Sequence, residues 1–583
     1  MRSLLPYLRK YRKECILGPL FKLLEASFDL LIPLVVANII DQGITGQNMQ
    51  LIIRDAVLMA ALGLIGMMFA ITAQYFCAKA AVSLGATLRH ELFSHIQSLS
   101  YSTAQTVGTA TLLTRITSDV NQVQTGLNLS LRLLLRSPFI VFGAMIMAFT
   151  VNARAALIFV ITIPLLAAVV FGIMRLTTPL YKKVQAKVDI LLGMTRQNLT
   201  GVRVIRAFNR EASELSAFEK QNEDLTEMQL HVGRISALMN PVTYIIVNAA
   251  TAALIWYGAI RVNIGDLTQG QVVALVNYMA QILVELVKFA NLIVTISKAL
   301  ASADRIRDIL EIEPGAETIP GEKTENGNCI EFDHVSLSYP KAGAESLSDV
   351  HFSIGHGQTL GIIGGTGSGK SSIINLIPRF FDASEGTVRV DGKDVRSYEP
   401  SELRDKIGLV PQKAILFKGT IRSNLQVADE AAGDEILWQA LRTAQAEEFV
   451  REKEGGLDAE VAQEGRNFSG GQRQRLTIAR ALTRKPEILI LDDSASALDY
   501  MTDARLRRAI READPEMTVV IVSQRTASVR FADRIIVLDD GHVCGIGTHD
   551  ELMRSCPVYQ EIYDSQFKKE PSAKEEADHE NEN

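Results

Sequence analysis

The residues best suited to chemistry lie in a glycine-rich segment of the second half of the chain, TLGIIGGTGSGKSS at 359–372. A strand-like apolar run precedes the glycines, and a helix-like run, SIINLI, follows them. Gly364, Gly369, Lys370 and Ser371 satisfy the pattern G-x-x-x-x-G-K-[ST] at every position. Glycines let the backbone close around phosphates with several N–H groups pointing inward, and the start of the next helix adds positive potential. The segment therefore predicts a site for the phosphates of a nucleotide.

This loop and a second segment have expected roles in binding ATP and Mg²⁺. We expect Lys370 to reach the β- and γ-phosphates and the hydroxyl of Ser371 to bind magnesium. The apolar run ILILDD at 488–493 is typical of a buried parallel strand whose end carries carboxylates close to the phosphates. Asp492 is suited to hold magnesium, directly or through water. The other expected nucleotide contacts are Gly365, Thr366, Gly367, Ser368 and Ser372.

A third segment, RNFSGGQRQRLTIARAL at 466–482, narrows the kind of nucleotide-binding protein. Its FSGGQ differs at one position from LSGGQ, and on these residues the chain resembles the ABC ATPases, whose signature this is. The resemblance implies that the signature of one subunit caps the γ-phosphate held by the P-loop of another. Two nucleotide-binding domains would then complete each ATP site together. The signature residues expected at a partner's ATP are Phe468, Ser469, Gly470, Gly471 and Gln472.

The same resemblance implies roles for residues outside these three segments. Tyr339, in VSLSYP, resembles the aromatic residue that stacks on adenine. Gln412, in LVPQ, resembles the glutamine that contacts magnesium and senses the membrane domain, so we expect it beside the metal with Ser371 and Asp492. SALD at 496–499 resembles the D-loop.

Two positions depart from the family pattern, and both concern hydrolysis. The residue after the magnesium aspartate is glutamate in hydrolytically competent members, where it polarises the attacking water, but here it is Asp493. Aspartate and glutamate have similar pKa values, but the aspartate side chain is shorter by one methylene, about 1.5 Å. In VIVSQRTASVR this chain has Gln524 where the family has a histidine that contacts the γ-phosphate. We therefore expect a degenerate site that holds ATP and hydrolyses it slowly, with Asp493 as a poor base.

The first half of the chain contains stretches that are long and apolar enough to cross a membrane. A membrane-crossing helix needs about 20 mostly apolar residues. Six stretches qualify, at about 16–40, 56–84, 133–151, 156–174, 242–262 and 272–297. Lysine and arginine are frequent in the N-terminal MRSLLPYLRKYRKE, which predicts a cytoplasmic N-terminus, and six spans then leave both termini in the cytoplasm. The family resemblance implies that this multi-pass protein lies in a bacterial cell membrane, among lipids. The net charge of −6 shows no signature of nucleic-acid binding.

The predicted fold is multidomain, with an all-α domain of six transmembrane helices followed by an α/β P-loop ABC ATPase domain. The predicted boundaries are 1–310 for the transmembrane domain with long cytoplasmic helical extensions, 311–328 for a linker, 329–567 for the nucleotide-binding domain and 568–583 for a disordered acidic tail. Stretches 112–124 and 201–214 resemble the coupling helices that transmit the ATP state to the membrane.

Polar residues inside two expected spans leave two interpretations open. The helical faces concerned carry Lys22, Glu25 and Asp29 in the first span and Asn277, Gln281, Glu285, Lys288 and Asn291 in the sixth. These residues either line a substrate cavity or form pairs, such as Glu285 with Lys288, that satisfy buried helix packing.

The predicted function is one subunit of a heterodimeric, ATP-driven ABC exporter. The chain resembles the less active subunit of bacterial heterodimeric multidrug exporters, which move drugs, lipids or other amphipathic small molecules out of the cytoplasm by alternating access. Its partner would be a second half-transporter with glutamate and histidine in its ATP site. A homodimeric exporter, an exporter dedicated to a peptide or natural product, and an ATP-gated membrane regulator remain as alternatives.

Overall fold

The computed structural model describes residues 5–315, 318–320, 327–339, 343–494 and 497–567. By its internal contacts the chain divides into two units. The first comprises Met1–Ser98 and Gly108–Glu313, and the second comprises Leu99–Val107 and Pro314–Asn583. The acidic tail predicted at 568–583, and residues 316–317 and 321–326 of the predicted linker, lie outside the described residues.

The first half of the chain is helical throughout its described part. In chain order its helices are α1 (Leu5–Leu8), α2 (Arg12–Asn38), α3 (Met49–Ser98), α4 (Tyr101–Val107), α5 (Thr109–Thr114), α6 (Val120–Leu133), α7 (Arg136–Val151), α8 (Ala153–Thr200), α9 (Val202–Ala207), α10 (Glu211–Ala237), α11 (Met239–Ile264) and α12 (Gln269–Leu310). A 3₁₀ turn, Arg9–Tyr11, precedes α2, and π-helical turns at Ile39–Ile44 and Arg115–Asp119 follow α2 and α5.

Six helical stretches of the described chain are long and apolar enough to cross a membrane. They are Pro6–Ile44, Met49–Ser98, Thr109–Val151, Ala153–Thr200, Glu211–Ile264 and Gln269–Leu310. Each contains one of the six predicted spans, which confirms the helical transmembrane domain. Helix α3 has 50 residues and is therefore about 75 Å long, whereas the hydrocarbon core is about 30 Å thick. Its length matches the prediction that the spanning helices continue well beyond the bilayer.

The core of the first unit lies where helices α2, α7, α8, α11 and α12 meet. Its buried members include Leu30, Phe159, Leu254 and Tyr278. The hydroxyl of Tyr278 donates a hydrogen bond to the backbone oxygen of Leu30 at 2.7 Å, so a buried polar group joins α12 to α2. Small residues allow helices to approach closely where no side chain intervenes. Gly126 of α6 is such a residue, because a Cβ built there would lie 2.2 Å from the Cβ of Ala299 on α12.

The described residues of the second unit form three sheets. Its strands are β1 (Asn328–Leu337), β2 (Leu347–Gly355), β3 (Thr359–Gly364), β4 (Glu385–Val390), β5 (Lys393–Asp394), β6 (Ile407–Val410), β7 (Gly419–Thr420), β8 (Glu460–Val461), β9 (Ile488–Asp492), β10 (Thr518–Val522), β11 (Arg534–Asp539) and β12 (His542–Gly547). A six-stranded sheet has the order β12-β11-β3-β10-β9-β6, a four-stranded antiparallel sheet has the order β2-β1-β4-β5, and β7 pairs with β8.

Helices accompany these sheets. They are α13 (Lys370–Leu376), α14 (Pro400–Asp405), α15 (Ile421–Leu425), α16 (Asp434–Thr443), α17 (Glu447–Arg451), α18 (Gly470–Thr483), α19 (Tyr500–Ala513), α20 (Thr526–Val529), α21 (His549–Ser555) and α22 (Pro557–Phe567). The helical first unit followed by this α/β unit confirms the predicted fold class.

The central strands of the six-stranded sheet are buried on both faces, because they alternate their apolar side chains between two cores. In β9, Leu489 and Leu491 belong to one core, while Ile488 and Ile490 belong to the other. Strands β3, β10 and β11 show the same alternation. A side-chain period of two therefore specifies the register of every central strand, since a slip of one residue would exchange the two faces.

The structure corrects the predicted position of the first coupling segment. Residues 112–124 lie within the first unit, where Asp119 accepts a hydrogen bond from Arg305 of α12 at 3.1 Å. The short helix α4 instead belongs to the second unit, where the ring of Tyr101 stacks on Phe380 with centroids 4.9 Å apart. The resemblance of 112–124 to a coupling helix is a local signal in the sequence, whereas the grouping of α4 rests on contacts with residues far along the chain.

The packing of α6 on α12 gives a test of the helical unit. Gly126→Ala places a methyl group against Ala299, so we expect overpacking to lower the free energy of unfolding by about 1–3 kcal/mol. Gly172→Ala is the matched control, because nothing lies within 4 Å of a Cβ at that position of α8. Thermal unfolding of the detergent-purified chain measures both variants. Equal melting temperatures for the two variants would contradict the packing described here.

Candidate ATP-binding site

Three neighbouring strands bring the candidate site together at one edge of the six-stranded sheet. Strands β3, β10 and β9 run parallel, and Val522 lies opposite both Ile362 of β3 and Asp492 of β9. Because parallel strands end at the same edge, the segments that follow them converge there. These segments are the glycine-rich loop after Gly364, Asp493 after β9, and the pair formed by Ser523 and Gln524 after β10.

The converging segments enclose a cavity of about 580 Å³. The predicted residues that line it are Tyr339, Thr366, Gly367, Ser368, Gly369, Lys370, Ser371, Ser372, Gln412, Asp492, Asp493 and Gln524. Gly364 and Gly365 lie at the base of the loop, where their backbone oxygens accept hydrogen bonds from Lys370. The structure therefore gathers in one place residues that are up to about 185 positions apart in the sequence.

Several lining residues had not been singled out in the sequence. Asp540 and Gly541 follow β11, which pairs in parallel with β3, so they reach the cavity by the same rule as the other strand ends. The apolar run IIVL before them was a readable signal. Ala344, Glu345 and Ser346 also line the cavity, but no pattern in the sequence marks them.

Two glycines of the glycine-rich loop have backbone conformations that residues with a side chain rarely adopt. Gly367 and Gly369 have φ angles of 87° and 95°, in the region that favours glycine. A Cβ at Gly369 would also lie 2.8 Å from the backbone oxygen of Ser346. The ammonium of Lys370 lies inside the loop and donates to the oxygen of Gly364 at 2.9 Å. Burial lowers the pKa of Lys370, while the charges of Asp493 and Asp492 act in the opposite direction.

The two carboxylates at the end of β9 occupy a poorly solvated part of the cavity. Burial raises the pKa of Asp492, the charge of Asp493 raises it further, and the charge of Lys370 opposes both effects. Burial also raises the pKa of Asp493, against a hydrogen bond from Gln412 whose N–O distance is 3.5 Å. With the Ser371 hydroxyl these groups form a set of hard oxygen ligands, which suits Mg²⁺ beside phosphates.

Asp493 is held in an uncommon backbone conformation. Its φ angle is 42°, in the left-handed region that few residues other than glycine adopt. Its N–H donates to the backbone oxygen of Val522 at 2.9 Å, which ties it to the neighbouring strand. The sheet therefore determines the direction of the Asp493 side chain. The length of this side chain determines how far its carboxylate extends.

Two other predicted residues have their positions set by neighbours. The hydroxyl of Tyr339 lies 3.0 Å from the Oγ of Ser372, and its ring meets Phe381 edge-on with centroids 4.9 Å apart. Gln524 is exposed at the cavity, and its backbone oxygen accepts a hydrogen bond from Gln566 of α22 at 2.8 Å. Helix α22 thus supports the segment that carries Gln524.

The signature residues lie outside this cavity. Ser469 is the N-cap of α18 and forms a capping box with Gln472, and both Ser469 and Gly470 are exposed. None of the five signature residues, all within the described range 343–494, lines the cavity around Lys370. Phe468 is only 4% exposed and packs in the core, so its side chain anchors the start of α18 instead of facing solvent. Residue 496, at the start of the predicted D-loop, and residue 495 before it lie outside the described part of the chain.

Comparison with known proteins accounts for both units. Residues 15–286 match the family described as ABC transporter transmembrane region, and residues 347–496 match the family described as ABC transporter. An uncharacterized ABC transporter ATP-binding protein of Mycobacterium tuberculosis is 36% identical over 566 residues, which cover 96% of this chain and 97% of that protein. The chain belongs to the ABC transporter family. It is a half-transporter, in which a multi-pass membrane domain is fused to an ATPase domain, so ATP hydrolysis drives transport in the assembled protein.

Further similarities place this ABC half-transporter among proteins of the same organisation. The uncharacterized ABC transporter ATP-binding protein YfiB of Bacillus subtilis is 35% identical, over 98% of this chain and 100% of that protein. An ATP-dependent lipid A-core flippase of Desulfotalea psychrophila is 33% identical, over 82% of this chain and 84% of that protein. A bacterial Atm1-family ABC exporter, solved with ATP bound, has a TM-score of 0.80 at 23% identity and covers 96% of this chain and 99% of that one. The half-transporter therefore has an exporter fold.

The raised pKa of Asp493 predicts how this residue affects stability. A folded-state pKa above the unfolded one means that the ionised carboxylate costs stability at neutral pH. We therefore expect Asp493→Asn to raise the melting temperature of the nucleotide-free protein near neutral pH. The gain should shrink as pH falls through the raised pKa, because the native carboxyl is then protonated too. Thermal unfolding from about pH 8 to about pH 4 tests this.

Asp434→Asn is a control of opposite sign. A hydrogen bond from Arg422 lowers the pKa of Asp434, so its carboxylate stabilises the folded protein above the unfolded pKa. The asparagine variant should be less stable at neutral pH, and this loss should disappear as pH falls through the lowered pKa. The same direction of change in both variants would contradict the electrostatics described for the cavity.

Proposed function

We propose that this chain is the degenerate-site subunit of a heterodimeric ABC exporter. The observation that carries the proposal is the pair Asp493 and Gln524, which line the ATP cavity at the positions where competent members of the family have glutamate and histidine. Asp492 and Ser371 supply the magnesium ligands, and Lys370 supplies the cation for the phosphates. On this proposal the site retains the groups that bind ATP and lacks both groups that promote its hydrolysis.

The geometry around Asp493 explains why the shorter side chain matters. A general base must lie within about 2.6–3.2 Å of the group whose proton it takes, or act through one water. The backbone of Asp493 is tied to Val522, so the carboxylate cannot advance by moving its own backbone without breaking that bond. Its distance from the attacking water is then longer by about 1.5 Å than that of glutamate. A misplacement of this size can cost about a hundredfold in rate.

The signature supports a role for this chain in a second, competent site. Ser469 and Gly470 are exposed at the start of α18, a helix of 14 residues whose N-terminus favours anions. The proposal therefore pairs the intact signature of this chain with the P-loop of a partner half-transporter that carries glutamate and histidine. That partner would perform most of the hydrolysis, while this chain would retain its own ATP for longer.

The transported compounds are proposed to be drugs, lipids or other amphipathic small molecules that leave the cytoplasm by alternating access. The exporter fold and the 33% identity to a protein named a lipid A-core flippase support this class. The six candidate spans would lie in a bacterial cell membrane with both termini in the cytoplasm. Binding of ATP would close the two ATPase domains, and hydrolysis at the competent site would reopen them.

The composition of the purified complex is the direct test of this proposal. We expect a C-terminally tagged chain, expressed from its native operon and extracted in mild detergent, to carry a second half-transporter at a one-to-one ratio, identified by mass spectrometry. The second subunit should have glutamate and histidine at the positions of Asp493 and Gln524. Recovery of this chain alone would overturn the heterodimer and favour a slow homodimeric exporter or an ATP-gated regulator.

Restoring the family residues should restore hydrolysis at this site. We expect Asp493→Glu with Gln524→His to raise the ATPase rate at least about tenfold in a complex whose partner glutamate is replaced by glutamine, because a positioned general base contributes about 10²–10⁴. The matched control is Asp493→Asn with Gln524→His, which restores the histidine without a base. If both double variants hydrolyse ATP equally fast, the reach of Asp493 does not limit the rate.

A further inference from the structure

A cavity within the membrane-spanning segments is lined by an ionic cluster that the sequence showed only in part. Helices α2, α7 and α12 border this cavity of about 360 Å³. Arg136, at the start of α7, joins the polar faces of the first and sixth spans. Its guanidinium donates to Glu285 at 2.7 Å and to Asp29 at 3.0 Å.

The cluster is charge-balanced. Lys288 donates to Glu285 at 2.9 Å, Lys22 pairs with Glu25, and Glu25 lies 3.8 Å from the Arg136 guanidinium. Together with the two pairs made by Arg136, six ionisable side chains are therefore connected, three of them basic and three acidic. Ionised groups in a membrane are costly unless they are paired, and balanced pairing reduces this cost.

The cluster retains polar groups that the protein itself does not satisfy. Among the described residues, the Oε1 of Gln281 and the Nε of Arg136 are buried and have no hydrogen-bond partner. Both residues line the cavity. One offers an acceptor and the other a donor. Leaving a buried polar group unsatisfied costs about 1–3 kcal/mol, so the structure keeps two such groups beside the cavity at a cost to its stability.

Two oppositely charged side chains of the cluster face the open part of the cavity. The side chain of Asp29 is 39% exposed and that of Lys288 is 45% exposed, whereas Glu285 is 5% exposed. Asp29 can therefore meet a cationic group and Lys288 an anionic one while each keeps its partner. The remaining lining is apolar and consists of Ile32, Ile140, Ala280 and Val284.

We propose that this cavity binds the zwitterionic headgroup of an amphipathic substrate. A ligand with a net charge would add an unpaired charge to the balanced cluster, in a region of low dielectric constant where such a charge is costly. A ligand with one positive and one negative centre leaves the total charge balanced. The apolar lining accommodates the start of its hydrocarbon part. The inference rests on the proposed export of amphipathic compounds and narrows the class of compound.

The test uses three amphiphiles that share a dodecyl chain and differ in headgroup charge. These are dodecylphosphocholine, dodecyltrimethylammonium and dodecyl phosphate, applied below micelle-forming concentrations to the purified complex in lipid nanodiscs. The readout is the concentration of each that half-maximally stimulates ATP hydrolysis. In the unmodified complex we expect dodecylphosphocholine to act at the lowest concentration.

Two substitutions at the open part of the cavity should change the selectivity in opposite directions. Asp29→Asn leaves the cluster with a net positive charge, so we expect dodecyl phosphate to become the preferred amphiphile. Lys288→Met leaves a net negative charge, so dodecyltrimethylammonium should become preferred. Each ratio of half-maximal concentrations should shift at least about tenfold, since one contact between opposite charges is gained or lost. These partly exposed positions are chosen because removing the buried Glu285 risks misfolding.

Controls separate this inference from a structural role of the cluster. Lys298→Met removes an exposed lysine from the same helix without touching the cavity, and its selectivity should equal that of the unmodified complex. The double variant Asp29→Asn with Lys288→Met restores neutrality and should lose the preference for phosphocholine. Unchanged ratios in both single variants would overturn the headgroup site and leave the proposed exporter intact. An active ATPase that none of the amphiphiles stimulates would contradict the export of amphipathic compounds itself.

Discussion

The parallel register of β3, β10 and β9 is the constraint on which the ATP site depends. Val522 lies opposite both Ile362 and Asp492, so the three strands end together and their following segments meet around one cavity. The register is maintained by the two apolar cores, which receive alternate side chains of each strand. A slip of one residue would bury the wrong set of side chains and would move Asp492 away from the phosphate-binding loop. The packing that determines the register of the sheet therefore also determines the geometry of the site.

Both units place charge where water is scarce, and they balance it in different ways. In the ATPase unit, burial raises the pKa of Asp492 and of Asp493 and lowers that of Lys370, so each group is ionised at a cost that the mutual attraction of opposite charges reduces. Shifted pKa values of this kind are common in sites that bind charged ligands. In the membrane unit, the charges meet in pairs across three helices, with Arg136 in contact with acids of two others.

The position of the signature explains why a half-transporter needs a partner. Ser469 caps α18 at the surface, and the signature does not reach the cavity that contains Lys370. On the proposed function, one chain therefore contributes its P-loop to one ATP site and its signature to another. On the proposed function, Asp493 and Gln524 weaken one site while the signature, which lies elsewhere, still contributes to the other. In the proposed heterodimer, this separation would be the physical basis for unequal ATP sites.

The sequence by itself determined the six apolar spans, the phosphate-binding loop and the acidic end of β9, because each is a local pattern whose spacing carries its own meaning. Tertiary structure alone decided that Glu345 and Ser346 line the ATP cavity and that Phe468 is a core residue. It also decided that α4 belongs with the ATPase unit and that Arg136 joins the polar faces of two spans. These facts depend on contacts between residues that lie far apart in the chain. Hydrophobic periodicity records which face of an element is buried, but it does not record which distant element covers that face.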